Sequence, residues 1–168
     1  MTRIGKVGIY IIVGGLVMTL AGCGEKQQGG KVEVGLELPY FELPTLAGKS
    51  LESGDLRGKK PVILNFWATW CGPCRLEMPT LQELHKSGGA RVVSIAVDDA
   101  GAEVVQPFVT KEGIPYEVLI GDSSTLQDFG AFSIPYTLVM DGDLKIVSIH
   151  RSVVSQRQLE RELSSIGP

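Results

Sequence analysis

This sequence of 168 residues has no basic cluster. Lysine and arginine together number 16 against 19 acidic residues, which gives a formal net charge of −3. Because a phosphate backbone is bound by clustered lysine and arginine side chains, we expect no nucleic-acid partner. The chain also lacks internal repeats, and its length suits a single domain. With 43% hydrophobic residues, the composition indicates a globular protein with a buried core.

Metal ligands are scarce as well. The chain contains three cysteines and two histidines, and the histidines, His85 and His150, lie far from each other in sequence. A structural zinc site needs four ligands at compact spacing, so the sequence predicts no metal site. We assign neither histidine a functional role.

The N-terminus has the pattern of an export leader. Arg3 and Lys6 precede an uncharged, mostly apolar stretch in which small residues lead up to Cys23. These small residues resemble the lipobox of bacterial lipoproteins, which implies cleavage after residue 22 and lipidation of Cys23. The alternative is an uncleaved anchor, because the stretch just reaches the ~18 residues that span a bilayer.

Both interpretations place the protein outside the cytoplasm, attached to a membrane. We therefore expect a signal peptide over residues 1–22, a lipidated cysteine with a flexible stalk over 23–33, and one domain over 34–168. The stalk is rich in glycine and glutamine and shows no apolar pattern. The anchor would lie on the periplasmic side in a diderm, or on the outer face of the cell membrane in a monoderm.

Apolar patterning in the domain predicts alternating strands and helices, the pattern of an α/β fold. Two buried-type strands flank a helix that contains Pro79 and should kink there, which makes a parallel crossover unit. The later part of the chain adds a hairpin around Asp141-Gly142-Asp143. The predicted strands cover 62–67, 91–97, 116–120, 137–140 and 144–149, and the predicted helices cover 70–88, 102–112, 126–132 and 156–166.

Cys71 and Cys74 lie where the first of these strands runs into the following helix. A bridge that closes so short a loop adds little chain-entropy stabilisation, so the pair indicates redox chemistry or metal binding. The lack of two further ligands at compact spacing argues against a zinc site. A cysteine at a helix N-terminus faces unpaired N–H groups, which lower its pKa below the ~8.5 of a free cysteine. Cys71 is therefore the expected nucleophile, and Cys74 is the expected resolving thiol one turn inside the helix.

The segment Phe66–Cys74, which reads FWATWCGPC, together with an Ile-Pro pair before the C-terminal hairpin, resembles the thioredoxin fold. The wider pattern from Gly35 to Pro79 is similar to the TlpA/ResA/CcmG branch of membrane-attached thiol:disulfide oxidoreductases. The resemblance covers about Gly35 to Ile166. It implies a central mixed sheet flanked by helices, with an N-terminal extension and a strand and helix inserted around residues 98–120.

Residues around the cysteine pair are expected to contact substrate. Gly72 and Pro73 allow a tight entry into the helix, since proline needs no donor bond in the first turn. Trp70, a large flat side chain next to the nucleophile, is expected to form a rim that faces substrate, although a core position is the alternative.

Two Ile-Pro-Tyr segments compete for the position of the family's cis-proline. Pro135 leads straight into the hairpin, where the resemblance implies a cis bond beside the disulfide. Ile134 would then be free to pair its backbone with an extended substrate. Pro115 is expected only to follow the end of a helix.

Proton transfer has one candidate residue. Thioredoxin carries a buried carboxylate six residues before its first active-site cysteine, and that position here is Asn65, which does not titrate. Glu77 is three residues after Cys74 and so shares its helix face, within about 5–6 Å between Cβ atoms. It is a candidate catalytic base. The alternative, a solvated glutamate that complements the helix dipole, stays open.

The resemblance implies an enzyme that reduces protein disulfides from outside the cytoplasm, with no cofactor beyond the Cys71–Cys74 disulfide. Implied partners are protein disulfides such as apocytochrome c and a transmembrane electron donor of the DsbD/CcdA kind. The Gly-Pro dipeptide between the cysteines matches the reducing end of the thioredoxin scale, near about −270 mV.

Two other functions are possible for this fold. A peroxiredoxin-like thiol peroxidase needs Thr or Ser three residues before its reactive cysteine and Pro four residues before that, but Ala68 and Leu64 occupy these positions. A thioredoxin-fold binding or chaperone module would be favoured by the loss of either Cys71 or Cys74, and both are present.

Overall fold

The computed structural model describes residues 29–166, so the expected leader and Cys23 lie outside the described residues. No helix within this range is long and apolar enough to cross a bilayer. A short 3-10 turn (Ser53–Leu56) follows the second strand. In chain order the elements are β1 (Glu42–Pro44), β2 (Ser50–Glu52), β3 (Val62–Trp67), α1 (Gly72–Ser87), β4 (Arg91–Ala96), α2 (Ala102–Glu112), β5 (Glu117–Ile120), α3 (Ser123–Asp128), β6 (Tyr136–Met140), β7 (Ile146–His150) and α4 (Gln156–Ile166).

Strand β3 lies at the centre of a five-stranded sheet with the order β5-β4-β3-β6-β7. It pairs in parallel with β4, which pairs in parallel with β5. On its other side it pairs antiparallel with β6, which pairs antiparallel with β7. All six residues of β3 are buried, as its continuous apolar run requires. The expected mixed sheet with flanking helices and an inserted strand and helix is confirmed.

The two faces of the sheet are covered by different layers, because alternate side chains of a strand point to opposite faces. The Trp67 ring packs 5.2 Å from that of Phe108 in α2, and the Arg75 guanidinium of α1 stands 5.1 Å over the same Phe108 ring. Helices α1 and α2 therefore share one face. On the opposite face, the Phe66 ring lies 5.0 Å from that of Phe129, which follows α3.

Helix α1 carries the cysteine pair at its start. Cys71 caps the helix, and the chain leaves it at Gly88, whose φ of 72° lies in the left-handed region that glycine adopts freely. Pro79, which was expected to kink the helix, lies inside the single span Gly72–Ser87. Buried side chains at Met78, Leu81 and Leu84 hold α1 on the sheet.

The largest differences from the predicted boundaries are at α3 and at β7. Helix α3 starts three residues earlier than expected because Asp122 caps it, accepting a 2.8 Å hydrogen bond from the Thr125 amide. It ends before Gly130, whose φ is 65°. Strand β7 starts at Ile146 rather than 144, because Leu144 has a φ of 67° that no extended strand accommodates.

The N-terminal extension forms a small antiparallel hairpin of β1 and β2, which the sequence patterning did not predict. Residues just before it also contact the domain. The Gly29 amide donates to the Tyr40 carbonyl (2.8 Å), and the Gly30 amide donates to the Asp128 carbonyl (3.1 Å). The last residues of the expected stalk therefore lie on the domain, beside the end of α3.

The histidines lie apart from the cysteine pair in sequence and have their own contacts. The His85 ring packs edge-on against that of Tyr116, with centroids 5.9 Å apart. His150 Nε2 lies 2.9 Å from Glu162 Oε2 and so links β7 to α4.

Candidate active site

Cys71 and Cys74 form a disulfide at the point where β3 leads into α1. The backbone amide of Cys74 donates to Cys71 Sγ at 3.2 Å, so the first turn of the helix is directed at this sulfur. Only 4% of Cys71 and 2% of Cys74 are exposed. In the oxidised protein Cys71 is therefore almost fully buried, and a substrate sulfur must reach it at a narrow opening.

The rim of that opening consists of exposed residues. Gly72 and Pro73 are exposed at the start of α1. Trp70 is 70% exposed, so the alternative of a core position is wrong, and its role as a rim that faces substrate stays a prediction. Trp70, which precedes the disulfide, and the two residues between its cysteines are thus available to a partner protein.

A buried carboxylate fixes the loop between β3 and Cys71. Asp98 accepts hydrogen bonds from the Thr69 amide (3.0 and 3.2 Å) and from Thr69 Oγ1 (2.6 Å). From the other side, Arg75 Nη2 donates to the Thr69 carbonyl at 2.7 Å. The sequence analysis missed Asp98, although a carboxylate directly after a buried parallel strand marks the edge of the sheet where active sites gather.

The bond between Ile134 and Pro135 is cis, and it is the one cis bond found within residues 29–166. The sequence prediction that Pro135 rather than Pro115 is the cis-proline is confirmed. The next residue, Tyr136, pairs with Phe66 near the end of β3, which brings Ile134 to the edge of the sheet where α1 begins. Pro115 lies two residues after Gly113, the C-cap of α2, as expected.

Glu77 lies inside the protein, with 1% of the residue exposed. Its Oε1 accepts a 3.1 Å hydrogen bond from Thr137 Oγ1 on β6, and Thr137 Oγ1 in turn accepts a 2.8 Å bond from Asn65 Nδ2 on β3. The alternative of a solvated glutamate is therefore wrong. Asn65, the polar residue of an apolar strand, provides a side-chain amide that orients Thr137.

Burial raises the pKa of Glu77 to about 7, because desolvation penalises the charged carboxylate more than the hydrogen bonds from Thr137 and the Val154 backbone favour it. The other oxygen, Oε2, is buried and has no hydrogen-bond partner of normal geometry among residues 29–166. Burial, together with the Glu77 charge, also raises the pKa of Tyr116. Near neutral pH, Glu77 can therefore either hold or accept a proton one helical turn from Cys74.

A protein-family model, described as the AhpC/TSA family, matches residues 34–149 of the sequence. The chain is 33% identical to the thioredoxin-like protein YneN of Bacillus subtilis over 164 residues, which cover 93% of this chain and 94% of that protein. It is 32% identical to the thiol-disulfide oxidoreductase ResA of Bacillus cereus over 167 residues, with 97% and 95% covered.

Solved structures show the same likeness. A putative thiol:disulfide interchange protein DsbE from Chlorobium tepidum superposes with a TM-score of 0.71 at 26% identity, covering 80% of this chain and 98% of that one. A DsbF homologue from Corynebacterium diphtheriae superposes with a TM-score of 0.68 at 27% identity, covering 86% and 96%.

Proposed function

Because this chain belongs to the AhpC/TSA family and is a ResA-like thiol:disulfide oxidoreductase, we propose that it reduces disulfides of exported proteins while tethered outside the cytoplasm. The observation that carries the proposal is the Cys71–Cys74 disulfide at the start of α1, with buried Glu77 one turn further on. The cysteine pair is itself the redox group, and no further cofactor is proposed.

The reaction starts from the reduced pair. The Cys71 thiolate, favoured by the amide of Cys74 and by the helix N-terminus, attacks one sulfur of the substrate disulfide. That disulfide breaks, its other sulfur leaves as a thiolate that takes up a proton, and Cys71 is left in a mixed disulfide. Cys74 then loses its proton and attacks Cys71 Sγ. The Cys71–Cys74 disulfide forms, the second substrate thiol is released and protonated, and two electrons have passed to the substrate.

Glu77 is the proposed acceptor of the Cys74 proton. A general base is most effective when its pKa lies near the working pH, and burial holds the pKa of Glu77 at about 7. A carboxylate with an ordinary pKa would accept a proton from a thiol less readily. The base would return the proton to the released substrate thiol or to solvent.

Substrate is held at the rim of the disulfide. Trp70, Gly72 and Pro73 are exposed there, and we propose that they contact the substrate chain. Ile134, directly before the cis bond to Pro135, would pair its backbone with an extended substrate strand. Pro135 completes the site beside the disulfide, as the family resemblance implies.

The partners follow from the compartment. Exported proteins whose cysteines must be reduced, such as apocytochrome c, are the proposed substrates. Because each turnover leaves Cys71 and Cys74 oxidised, the cycle also needs two electrons from outside the domain. A transmembrane donor of the DsbD/CcdA kind is the proposed source, and membrane attachment keeps the two proteins close to each other.

The tether is proposed from the sequence of the N-terminus. Cleavage after residue 22 and lipidation of Cys23 would anchor the chain, since each buried methylene adds about 0.8 kcal/mol to membrane binding. The anchor would face the periplasm in a diderm or the exterior in a monoderm.

A peroxiredoxin-like thiol peroxidase is the alternative function, and the site residues argue against that activity here. The position three residues before Cys71 is Ala68, which is buried and has no hydroxyl, and the position four residues before that is the buried Leu64. Nothing at these positions can bind a peroxide oxygen. A chaperone function without redox chemistry would leave the paired cysteines and the buried carboxylate without a use.

The experiment that tests the proposal measures the reduction potential of the Cys71–Cys74 pair against a dithiothreitol series, and then reduction of insulin. We expect a potential near about −270 mV, insulin reduction by the wild type, and none by Cys71→Ser. The Cys74→Ser variant should accumulate mixed disulfides through Cys71, because it has no resolving thiol. A potential above about −180 mV, or insulin reduction by Cys71→Ser, would overturn the proposal. Hydrogen peroxide serves as the comparison substrate, and its faster turnover would favour the peroxidase.

A further inference from the structure

An open groove of about 350 Å³ is lined by Trp70, the residue before Cys71, and by Ile134, the residue before Pro135. We call it the Trp70–Phe132 groove after the two aromatic residues at its rim. Its walls are mainly apolar, and one carboxylate lies among them. The lining residues used below are Trp70, Phe132, Val97, Leu126, Ile134 and Asp99.

The groove touches both segments that hold a substrate in the proposed reaction. Trp70 directly precedes Cys71, and Ile134 directly precedes Pro135. A substrate strand that pairs with Ile134 and brings its cysteine to Cys71 therefore runs past the mouth of the groove. Because side chains two residues apart on a strand point to the same side, about 6–7 Å from each other, a neighbour of the substrate cysteine is placed to enter it.

The aromatic rim is not explained by the folding of the domain. Phe132 is 88% exposed, whereas Phe129 just before it is fully buried in the core. Exposed apolar patches mark sites of protein binding, and tryptophan and phenylalanine are enriched in the cores of protein interfaces. Trp70 and Phe132 both line the groove, so a large apolar side chain that enters it would lose contact with water.

Charge at the groove selects for a basic partner. Asp99 is exposed and lines both the groove and an adjoining cavity of about 410 Å³. The adjoining cavity is also lined by Asp98, Asp122 and Asp128, and no lysine, arginine or histidine lines either space. Asp98 is engaged by Thr69 and Asp122 caps α3, but Asp99 makes no ion pair with any residue from 29 to 166.

We propose that the Trp70–Phe132 groove sets the substrate class: an extended protein segment with a large apolar side chain two residues from its reactive cysteine, followed by a lysine or arginine that faces Asp99. The proposal rests on the proposed function, because the cysteine pair must be the reacting group. The groove would make the protein prefer some substrate disulfides over others, which the cysteine pair alone does not do.

Kinetics with synthetic peptides test the proposal. Each peptide carries one cysteine as a mixed disulfide with thionitrobenzoate, whose release is followed by absorbance in single-turnover mixing with pre-reduced protein. One peptide has Phe at the second position from the cysteine and Lys beyond it, and the others replace Phe by Ala, Lys by Glu, or both. The substitutions are placed in turn on either side of the cysteine.

The wild type should react at least ten times faster with the Phe/Lys peptide than with the Ala/Glu peptide. Phe132→Ser should remove the preference for Phe, and Asp99→Asn should remove the preference for Lys, which should also weaken in high salt. Val34→Ser, which changes another exposed apolar residue, is the matched control and should keep both preferences. Val34→Ser should also reduce a small, uncharged aliphatic disulfide as fast as the wild type does. The rate of each variant with this disulfide corrects its peptide rates for any change in the reactivity of the cysteine pair.

A binding measurement separates this proposal from the proposed function. Serine replaces cysteine in the same peptides, and binding is followed by tryptophan fluorescence of the oxidised protein. If wild type reduces all peptides at equal rates and binds them equally, the groove proposal is overturned while the reductase stands. If no peptide is reduced, the proposed function is overturned and the choice among substrates is overturned with it, even where the Phe/Lys peptide binds preferentially. Loss of a concentration-dependent dimer in Phe132→Ser, without any peptide preference in the wild type, would make the groove a contact between two copies and overturn it.

Discussion

Thr137 and Glu77 meet across the packing of β6 against α1, where Thr137 Oγ1 donates a 3.1 Å hydrogen bond to Glu77 Oε1. The bond favours the charged carboxylate, whereas burial disfavours it. The effect of burial is the larger of the two, so the pKa of Glu77 rises to about 7. The hydrogen bond from Thr137 therefore limits the rise in the pKa of Glu77 that burial causes. Asn65, at the position of thioredoxin's buried acid, donates a 2.8 Å hydrogen bond to Thr137 Oγ1 and so orients it.

We expect Thr137→Val to raise the pKa of Glu77 further. A hydrogen bond to a charged group is worth about 1.5–3 kcal/mol, so its loss should move the midpoint up by about one pH unit or more. Carboxyl ¹³C chemical shifts of the oxidised protein measure this directly. Thr137→Ser keeps a hydroxyl and should keep the wild-type midpoint. A Glu77 midpoint near 4.5 in the wild type, or no change in Thr137→Val, would contradict this account.

Glu77→Gln should change how stability depends on pH. In the folded wild type the pKa of Glu77 is raised from 4.5 to about 7, so between these values the folded state binds more protons than the unfolded state. Stability is therefore fully present below pH 4.5 and falls as the pH rises to about 7, by about 3 kcal/mol in total. Because Gln does not titrate, the Glu77→Gln variant should not lose this stability as the pH rises.

The measurement is urea unfolding of the oxidised protein between pH 4 and pH 9. Because Cys71 and Cys74 form a disulfide in this state, neither thiol titrates. The stability of Glu77→Gln relative to wild type should increase by about 3 kcal/mol over the stated window and stay constant above it. Glu83→Gln, an exposed change on the same helix, is the control and should run parallel to the wild type. Parallel curves for Glu77→Gln as well would show that Glu77 has an ordinary pKa.

Asp98→Ala should destabilise the protein by about 2 kcal/mol, because it leaves the Thr69 amide and hydroxyl without their acceptor in a partly buried position. It should also free the Trp70 side chain, since Thr69 no longer fixes the loop. Chemical unfolding and the fluorescence anisotropy of Trp70 in a Trp67→Phe background report the two effects. Asp99→Ala, at the exposed neighbouring position, should cost less than about 0.5 kcal/mol. Equal costs at the two positions would show that the hydrogen bonds to Thr69 carry little stability.

Cys23→Ala should abolish lipidation. Cells grown with radioactive palmitate should label the wild type and Cys71→Ala, but not Cys23→Ala, which should also run at the mass of the unprocessed chain. Undiminished label in Cys23→Ala would contradict lipidation at this residue.

The elements that could be predicted from the sequence depend on neighbours along the chain. The buried run of β3, the cysteine pair after it and the Asp-Gly turn of the last hairpin are local patterns, and each lies where it was predicted. The start of α3 was missed because it depends on a capping hydrogen bond from Asp122, and the start of β7 because Leu144 takes a left-handed conformation.

The chemistry of the site was only partly predictable for the same reason. Helical spacing placed Glu77 on the face of Cys74, but its burial comes from β6 and from the chain around Val154, which are distant in sequence. Thr137 could not be recognised as its partner without the register of β3 and β6. Asp98 likewise acts through Thr69, a residue 29 positions earlier.

The hydrogen bonds of Gly29 and Gly30 to Tyr40 and Asp128 fix where a lipid tether would leave the domain. Gly29 lies six positions after Cys23, and six residues of extended chain span at most about 20 Å. With Cys23 lipidated, the end of α3 is held within that distance of the bilayer surface, and the Trp70–Phe132 groove, which α3 helps to line, stays close to it. The protein would then meet substrate by diffusing along the membrane surface, and it would meet mainly chains that emerge at the same membrane.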